Sequence, residues 1–312
     1  MVDIGQSAPL VEEQPAVSMP RRRWGEWVIE LLIRGAGMSA ILIIGLIFAF
    51  LLREGLPAFV EISPRALLSS RWYPIEDLYG LVPLLVGSLL VTLGAVVIAV
   101  PLGLTTAIYL GMIAPRWQRE ILKPLVEVLA GIPSIVLGFL GWVALAPLIQ
   151  QAGAPTGLTA FTGALILAYM SLPTIISIAE DALYAVPKEY GDAALAIGAT
   201  QWQTIWRVIV PAARSGVVIA IVLGIGRAIG ETMAVMMVTG NAANIPALGT
   251  GMFFQPVRTM TATIAAEMGE VAQGSLHYQT LFAIGIVLFL ITFAINSLAG
   301  ALIGGRQKQS RR

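Results

Sequence analysis

Residues 82–110 read VPLLVGSLLVTLGAVVIAVPLGLTTAIYL, a run without one charged side chain. A helix needs about 20 apolar residues to cross a bilayer, so this run is long enough to span. It has counterparts along the chain. No Lys or Arg lies between Arg34 and Arg53, Arg71 and Arg116, Lys123 and Lys188, or Arg258 and Arg306. The Lys123–Lys188 gap holds two spans, split by the turn-rich Gly153-Ala-Pro-Thr-Gly157, and another span follows Pro211 and carries Arg227. The expected spans are 31–52, 82–110, 124–149, 159–180, 211–239 and 279–303. This predicts an all-α, polytopic membrane protein with about six transmembrane helices; alternation is too weak for a membrane β-barrel.

Composition agrees. Of 312 residues, 57% are hydrophobic and 12% charged, where soluble domains are about a quarter charged. There are no cysteines and one histidine, which excludes thiolate sites and argues against a zinc enzyme. The 19 basic and 18 acidic residues nearly cancel, leaving no basic field for nucleic acid. No phosphate-binding loop of the Gly-x-x-x-x-Gly-Lys type occurs, so the chain is not itself an ATPase.

The positions of the basic residues set the orientation. Arg21, Arg22, Arg23, Arg34, Arg116, Arg119, Lys123, Lys188, Arg207, Arg214, Arg306, Lys308, Arg311 and Arg312 fall on one side of the six spans. Only Arg53, Arg65, Arg71 and Arg258 fall on the other. The crowded side reads as cytoplasmic, with both termini there. Residues 1–30 then form a cytoplasmic tail, 53–81 a small external subdomain, 181–210 a cytoplasmic loop, 240–278 an external loop with a helix near Thr261–Val271, and 304–312 a cytoplasmic tail. Residues 1–20, with Asp3, Glu12 and Glu13 and no apolar core, are not a signal peptide. Trp24, Trp27, Trp72, Trp117 and Trp202 sit near span ends, where indoles prefer the interface.

The loop 188–211 reads as two short helices joined at Gly198. Glu189 and Asp192 suit a helix N-terminus, Ala193 and Ala194 give a small face, and Trp202, Ile205 and Trp206 anchor the second piece. On pattern alone it is either a docking element for another protein or an interfacial amphipathic helix without a partner. The stretch resembles the "EAA" loop of ABC-transporter permeases. Asp192-Ala193-Ala194, Gly198 and Val208-Ile209-Val210-Pro211 keep its spacing, with Asp in place of the family's first Glu.

A narrower resemblance, over roughly residues 75–303, is to phosphate-specific permeases of the PstC type. It is carried by Glu127-Val-Leu-Ala-Gly-Ile-Pro-Ser134 with Gly138, by Gly224-Ile-Gly-Arg-Ala-Ile-Gly-Glu-Thr-Met-Ala234 with Gly240-Asn241, and by Tyr79-Gly-Leu-Val-Pro83. The Gly-Arg-x-x-Gly-Glu-Thr pattern also occurs in the partner permease, PstA type. The resemblance implies a type I ABC importer permease fold and no enzymatic activity. It implies a second permease (PstA-like), two ATPase subunits (PstB-like) and an external phosphate-binding protein (PstS-like). No cofactor is then expected on this chain, ATP and Mg being held by the ATPases. Glu189, Asp192, Ala193, Ala194 and Gly198 are the implied coupling residues.

Arg227 and Glu231 lie deep in the fifth expected span, i and i+4, on one face of a continuous helix. An arginine there costs about 2.5–3.5 kcal/mol on insertion scales unless paired or hydrated. Two compatible readings follow: a buried intrahelical ion pair, or a phosphate waypoint in which the guanidinium fork binds two oxygens. Small residues at Ala212, Gly216, Ala220, Gly224, Ala228 and Thr232 form a ladder expected to pack in a seam with the partner permease. Thr232 and Asn241 join the substrate-pathway candidates. Glu127 either complements a helix N-terminus or lines the path, and Pro133 and Ser134 kink the third span. His277 reads as a solvated loop residue, and Arg258 and Glu267 as a solvated face or a contact for the binding protein. Rival functions are import of another oxyanion, molybdate or sulfate, and proton-coupled secondary anion transport, which would favour inverted repeats not seen in the sequence.

The orientation is testable with alkaline phosphatase, which is active only outside the cytoplasm. Fusions after residues 62 and 270 are expected to be active, and fusions at 195 and at the C-terminus inactive. An active C-terminal fusion would overturn the assignment.

Overall fold

The computed structural model describes residues 24–247, 249 and 251–307. The tail expected at 1–30 lies outside these residues as far as 23, and that at 304–312 does so beyond 307. The chain divides into two units at Ala49–Phe50. The first is the N-terminal part of helix α1 (Trp24–Glu61), uncharged apart from Glu26 and a Glu30–Arg34 pair one turn apart.

The second unit begins with the end of α1 and a compact segment: α2 (Pro64–Leu67), then a hairpin of β1 (Trp72–Tyr73) and β2 (Leu78–Tyr79) with Trp72 opposite Tyr79. Helix α3 (Val82–Ile108) leads to α4 (Arg116–Ala130), α5 (Ser134–Leu140) and α6 (Ala146–Gln151). After α7 (Ala160–Tyr184) come α8 (Lys188–Ala196), α9 (Gln201–Thr204) and α10 (Val210–Ala212). Helices α11 (Arg214–Gly230), α12 (Met233–Val238), α13 (Met260–Glu267) and α14 (Leu276–Gln307) complete the fold. Among the described residues five helices are long and apolar enough to span a membrane. The pair Gln201–Ala212 and Arg214–Gly230, bent by 73°, makes a sixth if taken as one broken span.

Helix α7 is the organising rod. Gly94 and Gly103 of α3, and Gly111 in the π-helical turn that continues it (Tyr109–Ile113), lie against Ala164, Ile175 and Glu180, so α3 and α7 run parallel. Gly216 and Gly224 of α11 lie against Ala182 and Ile175, so α11 runs antiparallel to it. Ile175 is thus gripped from two sides: a Cβ on Gly103 or Gly224 would approach it to 2.7 or 2.5 Å. Close approach through glycine maximises dispersion contact, the main packing force available between helices in lipid. Gly216 and Gly224 of the ladder therefore pack on this chain's own α7, where a seam with a second permease was expected. Ala220 and Ala228 are buried there. Ala212 is exposed and Thr232 lies beyond α11.

Two expected spans are broken. The span 124–149 is interrupted at 131–133, because Pro133 lacks an N–H and disfavours helical backbone at the residue before it. The kink expected at Pro133–Ser134 is a full break. The span 211–239 bends at Ala213 after a π-helical turn, Ile205–Ile209, in front of Pro211. It breaks again at Glu231, whose backbone is extended (φ −70°, ψ 134°). There the side chains of Glu231 and Thr232 bond nearby backbone and compete with the helix.

At the hairpin end, Glu267 accepts from Trp72 Nε1 at 3.2 Å and pairs with Arg258 at 2.7 Å and with His277 at 2.8 Å. Contrary to expectation, none of these three is a freely solvated loop group: His277 is 21% exposed, Arg258 and Glu267 16% each. Burial, aided by a hydrogen bond to Asp77, pushes the nearby Tyr79 phenol up to about 12, so it stays protonated.

The close approach at Ile175 can be tested. Gly224→Val is expected to lower stability by about 1–3 kcal/mol, the usual effect of overpacking. Gly226→Ala, with nothing within 4 Å of its Cβ position, is expected to melt like wild type. Equal melting temperatures for both variants of the detergent-solubilised protein would refute this packing.

Candidate functional site

The two helix breaks lie side by side. Helices α5 and α12 touch backbone to backbone, since a Cβ on Gly138 would come within 2.8 Å of Ala234 Cα. Arg227, in the last turn of α11, is half-buried and reaches across. It donates to Thr174 Oγ1 of α7 at 3.4 Å and to the Ala130 carbonyl, at the end of α4, at 3.5 Å. Both acceptors are neutral.

The expected Arg227–Glu231 ion pair is not formed. The helix ends between the two residues, so they no longer share a face. Glu231 instead accepts from the Ala234 N–H at 3.1 Å, a carboxylate at the start of α12, while its carbonyl accepts from Thr261 Oγ1 at 2.9 Å. Thr232 donates to the Gly230 carbonyl at 3.2 Å. Among the described residues Arg227 therefore forms no ion pair. Two of its five N–H donors are engaged, which leaves three for an anion.

The other pathway candidates separate from this point. Pro133 caps α5 and Ser134 is its first residue, both at the break. Glu127 is exposed near the end of α4, not at the start of a helix, so it complements no helix N-terminus. Asn241 is exposed beyond the far end of α12, in left-handed backbone (φ 53°), and donates to the Met236 carbonyl at 3.5 Å.

At the end of α7 the element 188–211 has a defined form. Gly198 turns the chain with φ 90°, and Thr200 and Gln203 close a capping box at the start of α9. Glu189 lies in the first turn of α8. Glu189, Asp192 and Ala193 are exposed, whereas Ala194 is buried, so only part of the small-residue face is free. Ile197 is 88% exposed at the tip. Trp202 and Trp206 stack edge to face at 5.6 Å.

One cluster was missed from sequence. Glu180, 1% exposed on α7, holds Arg119 and Lys123 of α4, the latter at 2.6 Å. Lys123 also meets Asp181 at 2.9 Å, and Arg119 covers the Tyr184 ring at 4.4 Å. The hydrogen bond to Glu180 holds the Lys123 ammonium above its ordinary range, against the effect of burial. The available signal was the i,i+4 spacing of Arg119 and Lys123 together with an acidic pair ending an apolar run.

A family model described as "binding-protein-dependent transport system inner membrane component" matches residues 99–306. The chain is 38% identical to a probable ABC transporter permease protein, YqgH, of Bacillus subtilis, covering 91% of this chain and 92% of that one. It is 34% identical to the phosphate transport system permease protein PstC of Mesorhizobium japonicum, covering 96% of each. In fold it resembles a chain of a bacterial alginate ABC transporter, solved in complex with an alginate pentasaccharide-bound periplasmic protein. That match has TM-score 0.59 and 15% identity, over 89% of this chain and 96% of the other. With its membrane-spanning helices, their breaks and the 188–211 element accounted for, the chain belongs to the binding-protein-dependent transport system inner membrane components: it is an ABC-transporter permease, a transport subunit and not an enzyme.

Proposed function

We propose that this chain is the permease subunit of an ATP-driven importer of inorganic phosphate, of the PstC type, and that Arg227 is a phosphate waypoint. The observation that carries the site is an arginine near the middle of a helix bundle, held by two neutral acceptors and left with three donors. A fork of this kind recognises two oxygens of an oxyanion at once, which an ammonium does not. Relatives named as phosphate transport permeases favour phosphate over sulfate or molybdate. Glu231 then holds the break open instead of neutralising the arginine, and Thr232 seals its backbone. Asn241, at the far end of α12, is an entrance residue.

In the same reading both termini and the 188–211 element are cytoplasmic, and the hairpin with α13 is external. Residues 1–30 and 304–312 are tails, 53–81 is the external subdomain, and 82–303 is the permease core. A PstA-like permease completes the path, two PstB-like ATPases hold ATP and Mg, and a PstS-like protein delivers phosphate. The chain itself carries no cofactor. Closure of the ATPases moves α8 and α9, with Glu189, Asp192, Ala193 and Gly198 as the contact and the buried Ala194 packed behind them, and opens the breaks at 131–133 and 231–232 to the outside.

Phosphate uptake by the assembled importer in proteoliposomes tests the waypoint. Arg227→Gln is expected to lower uptake efficiency about 10- to 100-fold, the loss of a charged hydrogen bond worth about 1.5–3 kcal/mol. Arg227→Lys is expected to recover only part of it, and excess sulfate or molybdate to leave wild-type uptake unchanged. Wild-type uptake by Arg227→Gln would sink the role. Collapse of uptake by an uncoupler with ATP present would instead favour secondary transport.

The bend of the coupling element gives a separate test. Gly198→Val places a β-branched residue at φ 90°, a strain of about 1–2 kcal/mol. It is expected to weaken ATPase co-purification and uptake while leaving the membrane level of the permease intact. Normal co-purification and uptake would remove Gly198 from the contact.

A further inference from the structure

Helix α4 is attached to the bundle in an unusual way: none of its 15 residues is buried. It makes several polar contacts. Arg119 and Lys123 hold the buried Glu180, Lys123 also holds Asp181, Arg119 covers Tyr184, and Gln118 accepts from the Tyr109 hydroxyl. At its other end the Ala130 carbonyl accepts from Arg227. Beyond Ala130 the helix stops, and only a short closing turn follows, the Gly131 and Ile132 N–H groups bonding back to the Val128 and Leu129 carbonyls. An apolar contact slides with little penalty; a buried carboxylate facing two cations does so only by leaving charge unpaired. The register of α4 is therefore set at Glu180. Lys123 and Ala130 are seven residues apart, about 10 Å along the helix; Pro124, beside Lys123, removes one hydrogen bond from this stretch without interrupting it.

We propose that Glu180 is a positioning residue for transport: through α4 it sets the Ala130 carbonyl where Arg227 needs it, and so aims the guanidinium for the anion. This rests on the reading of Arg227 as the phosphate waypoint. Without the clamp, the Ala130 carbonyl drifts and Arg227 keeps only Thr174 as its acceptor. Pre-organisation falls and the apparent affinity for phosphate falls with it. The maximal rate changes less, because the path itself is intact.

The test uses the whole importer, permease pair and ATPases with the binding protein, in proteoliposomes. Glu180→Gln is expected to raise KM for phosphate roughly 2- to 30-fold, the range for residues that act at a distance on a binding site. The maximal rate is expected to fall by less than that factor. Hydrogen exchange over residues 116–130 is expected to quicken. If Glu180→Gln fails to assemble, Lys123→Gln carries the same readouts. Unchanged exchange over 116–130 would show that the clamp does not hold α4, and faster exchange with wild-type KM that α4 does not aim Arg227; either overturns the proposal. Arg227→Gln, measured in parallel, separates the two ideas. If it transports like wild type, the waypoint reading falls. If it is impaired while Glu180→Gln keeps wild-type KM, the positioning role alone falls.

Discussion

Backbone polar groups at membrane depth must find partners inside the protein, because lipid offers none. Two adjacent helix breaks put that constraint at its most demanding, and side chains meet it. At the first break the Gly131 and Ile132 N–H groups fall back on the Val128 and Leu129 carbonyls, Pro133 has no N–H, and the Ala130 carbonyl takes Arg227. At the second, Thr232 takes the Gly230 carbonyl, Thr261 takes that of Glu231, and the Glu231 carboxylate takes the Ala234 N–H. The charged residues of the motif are thus tied to broken backbone, which is why they do not pair with each other.

The breaks are possible because the rest of the bundle is rigid around them. Helix α7 is continuous from Ala160 to Tyr184 despite Pro173, and it receives α3 along one side and α11 along another at glycine contacts. Thr239, just past α12, is fully buried, and its methyl is the nearest atom to the Cβ position of Gly163 on α7. A rod locked at several points can carry an interrupted neighbour, since each half of the interrupted helix is anchored separately.

Much of this was legible in the sequence. Charge-free runs marked the spans, and Gly198 between two helical patterns marked the bend, which needs the positive φ that glycine tolerates. Arg227 stood out because an arginine is expensive inside an apolar run. The interruption at Glu231 was not legible, because apolar content continues unbroken from Met233 to Val238 and periodicity alone cannot report a two-residue gap. That gap decided the i,i+4 inference: Arg227 and Glu231 would face each other only on a continuous helix. The Glu180 cluster escaped for a different reason. Its partners are 57 and 61 residues away, and such a contact is a property of the fold.

The two ways of holding a helix in this molecule differ in what they permit. Helices α3, α7 and α11 are joined by apolar side chains and close backbone approach, which lock them at the glycine contacts. Helix α4 is joined by a buried carboxylate, two cations and one terminal carbonyl. Such contacts are strongly directional, and breaking one exposes a charge that must find another partner. An element held in this manner rests in few positions and passes between them as a unit. In a permease that alternates between two states, a helix held in this way moves as one piece between them. An apolar attachment would leave the Ala130 carbonyl, one of the two acceptors of Arg227, free to shift by degrees.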